Sequence, residues 1–224
     1  MIRRDYILRM IEEFCEALSR LCALKQDRRW QEAGLTVEEQ FQRLIGMDAR
    51  AAARLTETEL MARLIQGEPT LAVREKTLLL STLFREAGDV AAAQDRLEES
   101  RSCYLKGLHL LLETLGRSEV FECPDFVPRI DVFAAALSDA PLPPPTQALL
   151  MQHYERAGEF AKAEDVLFAL LENEPNNAGL VRFGIAFYER LQTQSEASLA
   201  NGNLPRAEVE AGLAELRGRC VLPA

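Results

Sequence analysis

Histidine is nearly absent from the sequence: His109 and His153 are the two in 224 residues. That scarcity leaves no HExxH zinc motif and no Glu-x-x-His pair of the kind that bundle di-iron sites need. GxSxG and a P-loop are also missing. Glu12-Glu13, Glu38-Glu39 and Glu98-Glu99 are neighbours in sequence. On a helix such neighbours diverge by about 100° and do not converge as paired catalytic carboxylates. Cys15, Cys22, Cys103, Cys123 and Cys220 form no CxxC and no metal-ligand spacing. They read as free thiols, with Cys15 and Cys22 two turns apart on one helix face as small buried hydrophobes. Catalytic residues, cofactor and metal are therefore all expected to be none.

Basic charge is short as well. The formal net charge is -9, which repels phosphate backbones and anionic membranes. The one basic cluster, Lys25, Arg28 and Arg29, is interrupted by Asp27. No apolar run of about 18 residues is present, as a membrane helix requires. The start is charged and lacks the apolar stretch of a signal peptide. These absences point to a cytoplasmic protein that binds neither nucleic acid nor membrane.

What is abundant is helical periodicity. Ile7, Leu8, Ile11, Phe14, Cys15, Leu18, Leu21 and Cys22 recur at spacings of three and four, an amphipathic helix over 5–24. Thr36 with Glu39 and Thr56 with Glu59 read as capping boxes that open two further helices. Gly67 closes the second, and Pro69 fits the start of the next. That helix runs through Leu78, Leu79, Leu80, Leu83 and Phe84 to Gly88. Asp89 caps a long helix over roughly 90–115, closed by Gly116. A short helix fits near 129–138. The run Pro143, Pro144 and Pro145 reads as extended and stiff, a candidate break near 140–146 between two halves. Helices are expected at 146–157, 160–173, 178–200 and 205–217. No segment alternates as a strand does. The expectation is all-α, with antiparallel helical hairpins in a single domain over 1–224.

One segment, 147–175, carries a spaced pattern. Leu150 and Tyr154 lie on the first helix, Gly158 and Phe160 at the turn, Ala163 and Leu167 on the second helix, and Pro175 at the end. These residues resemble a tetratricopeptide repeat. Gln147 stands where that pattern has Trp, and Met151 where it has Gly. A weaker echo runs through Leu80, Phe84, Gly88, Val90 and Ala93, then again about seven residues later through Leu97, Ser100, Tyr104, Gly107 and Leu108. A third runs through Gly202, Leu204, Ala207, Ala211 and Ala214. The N-terminal part also resembles a family of uncharacterised bacterial proteins with a tetratricopeptide-like body. The residues that carry this are Met1, Ile2, Arg3, Asp5, Tyr6 and Ile7, then Glu38, Phe41, Leu44 and Asp48, then Leu55 and Glu59.

The repeat resemblance implies a short right-handed solenoid whose concave groove takes a peptide or a helix. By that analogy Gln152, Glu155, Arg156, Arg85 and Glu86 flank the groove, with Arg85 and Arg156 suited to a carboxylate. The function expected is a protein-binding adaptor or scaffold. The alternatives are a self-associating structural protein, which would make a homodimer, and, less favoured, a small-molecule sensor or enzyme.

Overall fold

A computed structural model describes residues 2–66, 70–117, 121–175 and 177–221. Among the described residues there are twelve helices and no strand. The chain divides into two compact units, Met1–Leu142 and Pro143–Ala224.

The first unit begins with α1 (Ile2–Gln26), α2 (Trp30–Ile45), α3 (Ala49–Arg54) and α4 (Glu57–Ile65). It continues through α5 (Thr70–Ala93), α6 (Leu97–Gly116) and α7 (Ile130–Ala136). The second unit holds α8 (Pro144–Ala157), α9 (Phe160–Asn173), α10 (Ala178–Gln192), α11 (Glu196–Asn201) and α12 (Arg206–Val221). In the first unit α5 packs along α6, with α1 and α2 against it. In the second, α8 pairs with α9 and α10 with α12.

Four helix-to-helix turns share one backbone solution. A residue with positive φ ends the first helix: Arg28 (56°), Asp95 (57°), Gly158 (75°) and Asn203 (55°). The next residue donates its N–H to the carbonyl five residues back. The pairs are Arg29 to Leu24 (2.8 Å), Arg96 to Ala91 (2.9 Å), Glu159 to Tyr154 (2.9 Å) and Leu204 to Leu199 (3.0 Å). This is the six-to-one bond of a Schellman end, which satisfies orphan carbonyls and reverses the chain at once. In the first three turns, the residue five positions after the left-handed one is small and buried: Ala33, Ser100 and Ala163. Small side chains there let the second helix lie close to the first.

The helix pattern needs several corrections. The expected helix start at Thr36 is absent, because Thr36 lies inside α2 and its hydroxyl donates to the Glu32 carbonyl at 3.1 Å. The Thr56–Glu59 capping box forms as expected. Gly88 and Asp89 do not end and start helices, because α5 runs through both and turns at Asp95. The sequence echo seven residues later is the one that marks the turn. Gly88 serves close approach instead: a Cβ there would stand 2.7 Å from Cε1 of Tyr104. Pro144 and Pro145 are not extended but form the first turn of α8, where their missing N–H groups cost nothing. The expected helix 178–200 breaks at 193–195, where Ser195 caps α11. Cys22 is exposed rather than buried, while Cys15 is partly buried and Cys103 fully. Ala207, Ala211 and Ala214 are exposed, and close approach in α12 falls to Gly212, beside the Tyr188 ring. The expected stop at Gly67 and start at Pro69 lie outside the described residues.

Apolar burial explains the first unit's assembly. Phe14, Leu21, Val37, Phe41, Leu60, Leu64, Leu79, Leu83 and Phe84 form one cluster. Phe41 and Phe84 meet edge to face at 5.0 Å, a favoured aromatic geometry. Gly107 admits the ring of Phe133 from α7, and the Ser81 hydroxyl donates to the Gly107 carbonyl at 2.8 Å. No described helix is long and apolar enough to cross a membrane.

Candidate functional site

The sequence-predicted residues fall in two places, one in each unit. Arg85 and Glu86 sit on α5, in the first unit. Glu86 is 3% exposed, so its charge needs partners close by. It accepts from Lys25 Nζ of α1 at 2.8 Å and from Arg85. Asp89 accepts from Lys25 as well, lies 3.2 Å from Arg85 Nη2, and takes the Tyr104 hydroxyl at 2.6 Å. Burial works to lower the Arg85 pKa, but Glu86 and Asp89 outweigh it and hold it above the usual guanidinium value. Burial and the Asp89 carboxylate push the Tyr104 phenol up. Arg85 Nε is buried without a hydrogen-bond partner. The structure thus places Arg85 and Glu86 in an ion cluster that joins α1, α5 and α6, rather than on an open face.

The second unit brings Gln152, Glu155 and Arg156 together. All three line one open groove of about 770 Å³. The last turns of α8 supply them, because residues three and four apart share a helix face. Across the groove α10 contributes Phe183 and Arg190, and beyond it come Gln194 and Ser198. Arg190 clasps Glu155 in a two-pronged contact, Nε to Oε1 at 2.6 Å and Nη2 to Oε2 at 2.7 Å. Planar forks of this kind fix orientation as well as charge. The Glu155 hydrogen bond comes first among the causes that hold Arg190 above the usual guanidinium value.

The repeat residues build the frame beneath. Leu150, Tyr154, Phe160, Ala163 and Leu167 are buried. Gly158 takes the left-handed conformation at the end of α8. Pro175 follows α9, which ends at Asn173. Gly202 packs against this turn: a Cβ there would collide with the Phe160 ring, and the Gly202 carbonyl accepts the Ala161 N–H at 3.0 Å.

Phe183, Arg190, Gln194 and Ser198 are groove residues that sequence pattern alone does not single out. The signal that could find them is the position of α10 as first helix of the following hairpin. No glycine-aromatic turn marks that hairpin, because the turn before α12 carries Asn203 instead.

Neither histidine sits in that groove's lining. His109 is buried with Nε2 3.5 Å from Glu113, and the His153 ring tilts against Tyr154 at 5.8 Å. Among the described residues no three His, Cys, Asp or Glu side chains are grouped to hold a metal ion. Burial drives the Cys103 thiol up to about 12, which suppresses its thiolate.

The fold and the groove define a class, an all-helical protein built of helical hairpins. The chain belongs to a family of unknown function, DUF6483, whose profile matches residues 1–220. No curated protein and no solved structure matches it.

Proposed function

We propose that the chain is a protein-binding adaptor, with hairpins stacked as in a tetratricopeptide solenoid. The groove of the second unit takes an extended peptide or a helix of a partner protein. Two features support the solenoid reading: the shared Schellman turn, and the small buried residue five positions after it in three of the four hairpins. The carrying observation for binding is the groove lined by α8 and α10. Phe183 gives it apolar surface, Gln152, Gln194 and Ser198 give hydrogen-bonding groups, and Arg156 gives charge. An apolar patch ringed by polar groups is the anatomy of a recognition surface. It needs no catalytic residue, cofactor or metal, and its setting is the cytoplasm.

The test is affinity capture from lysate with wild type beside a Gln152→Glu/Arg156→Glu variant matched for helicity and mass. A protein retained by wild type and lost by the variant supports the reading. Equal retention of every captured protein removes the groove from it.

Self-association is the second reading. It is favoured by Tyr6 and Leu8, about half exposed on α1 (48% and 49%). A doubled mass in light scattering that returns to monomer on Tyr6→Glu/Leu8→Glu would establish it.

A further inference from the structure

The clasp between Glu155 and Arg190 uses only part of the guanidinium. Its two contacts take Nε and Nη2, which lie on one edge of the group. Glu155 is the more buried partner, its side chain 17% exposed, while that of Arg190 is 49% exposed and lines the groove. A fork made along one edge fixes the plane of the guanidinium and does not cover its faces.

Cation and ring contacts elsewhere in the chain show what such a face takes. The guanidinium carbon of Arg74 lies 4.8 Å from the centre of the Phe121 ring, and Lys162 Nζ lies 5.3 Å from that of Tyr154. Among the described residues no ring lies over Arg190. Phe183, half-buried, stands two turns earlier on the same side of α10, about 10 Å along the groove. An oriented arginine beside a partly open ring is the composition that dominates recognition surfaces.

The clasp also bears on which group arrives. A carboxylate is the usual partner of an arginine, but Glu155 already fills the forked edge with both of its oxygens. The pair is neutral as a whole, so it draws a second anion weakly, and an anion at that edge meets Glu155. An aromatic ring needs only the face, where its negative quadrupole meets the cation directly.

We propose that the groove selects a partner segment bearing an aromatic side chain, whose ring stacks on the open face of Arg190. This rests on the groove reading above and names what that groove takes. Phe183 extends the apolar surface beside the ring. The Gln152 amide on the opposite wall meets the segment's backbone. The clasp then has a purpose beyond joining α8 to α10: it holds the guanidinium plane ready, so little freedom is lost when the ring arrives.

The experiment is a nuclear magnetic resonance titration of the full chain with three blocked tripeptides, acetyl-Ala-X-Ala-amide. X is tryptophan, cyclohexylalanine or glutamate. The tryptophan peptide should shift the amides of Gln152, Phe183 and Arg190 with a Kd on the order of 10 mM or tighter. It should also move the Arg190 Nε–H proton upfield, as a proton held over a ring face must. The cyclohexylalanine peptide, of similar bulk without the π face, should bind roughly threefold more weakly. Arg190→Lys keeps the charge and loses the plane. It should weaken the tryptophan peptide roughly threefold and leave the cyclohexylalanine peptide unchanged, with helicity equal to wild type. Equal binding of the two apolar peptides at the groove, or tightest binding of the glutamate peptide there, would show the groove to be real and overturn the aromatic preference. A tryptophan peptide that leaves the groove amides unmoved overturns the preference as well, and the groove reading then stands or falls on its own capture test.

Discussion

Lys25 Nζ lies 2.8 Å from Glu86 Oε2, an ion pair between residues 61 apart in sequence. Its side chains are 17% and 4% exposed, so water screens it little. Removing one member of a buried pair leaves the other charge stranded. Lys25→Met should therefore destabilise the chain by roughly 3 kcal/mol, at the low end of the usual cost because Arg85 still faces Glu86. Lys25→Met/Glu86→Met should recover part of the loss, since a well-packed apolar pair is often as stable as an ionic one. Urea melts of the three proteins decide it, and full additivity would show that the two residues are uncoupled.

Gly88 and Gly158 look alike in sequence and do different work. Gly158 has φ +75° with nothing within 4 Å of where a Cβ would stand, whereas Gly88 is helical with the Tyr104 ring at 2.7 Å. Gly158→Asn should cost about 1 kcal/mol or less, because Asn tolerates the left-handed region. Gly88→Asn should cost more, about 1–3 kcal/mol, by overpacking. Thermal melts that reverse this order would refute the assignment of the turn to Asp95.

That contrast shows how much of the fold is legible in the sequence. Helical periodicity locates most elements, and the Gly158–Phe160–Ala163 spacing locates one turn to the residue. The other three turns use Arg28, Asp95 and Asn203 in the left-handed region. Tertiary packing holds them there, and no local preference as strong as glycine's announces them. Gly88 misleads for the same reason: a glycine required by a ring across the helix pair resembles one required by a turn. At the candidate site, the residues of α8 follow from the repeat pattern. Their partners on α10 arise from contact between hairpins, which single-sequence spacing does not encode. The helix position of Arg85 is equally compatible with an open face. Lys25, which draws the Arg85–Glu86 pair into a buried cluster, lies on a distant stretch of chain.

Glu164 accepts the Tyr188 hydroxyl at 2.6 Å between α9 and α10. Burial is the main cause that holds its carboxyl above the usual value, with Glu208 and Asp165 adding to it. A raised carboxyl favours folding in the protonated form, so its contribution is present below the unfolded value near 4.5 and is lost as pH rises through the folded one. Glu164→Gln keeps an acceptor for Tyr188 without the charge. It should match wild type at acid pH and become more stable by about 1 kcal/mol toward neutrality. Melting temperatures across the range test this, and a variant less stable at pH 7 would reverse the sign.

Glu99 behaves in the opposite sense. Burial would raise its carboxyl, but hydrogen bonds from Arg50 and Arg96 outweigh that and lower it. Arg50 donates to it at 2.6 Å, joining α3 to α6. The stability from these contacts is present above the ordinary value near 4.5 and fades as pH falls through the lowered one. Glu99→Gln should be less stable than wild type at pH 6 by about 1–2 kcal/mol and converge on it in acid. A gap that stays constant from pH 6 to 2 would mean packing, not charge, sets the difference.

Arg190 separates a structural role from a binding one. Its clasp on Glu155 joins α8 to α10 at the groove, yet the Arg190 side chain is 49% exposed. A contact so open to water contributes little, about 0.5 kcal/mol. Arg190→Gln should therefore melt close to wild type. It should still change recognition, because it frees the Glu155 carboxylate and removes a fixed cation from the groove wall. A partner with an acidic segment should lose affinity roughly tenfold, while one with a basic segment should gain it. A variant that melts normally and binds a groove-dependent partner unchanged would place the contact surface elsewhere on the second unit. A variant that loses both stability and binding would show that the clasp holds the two helices in place, and that the groove depends on it for its shape.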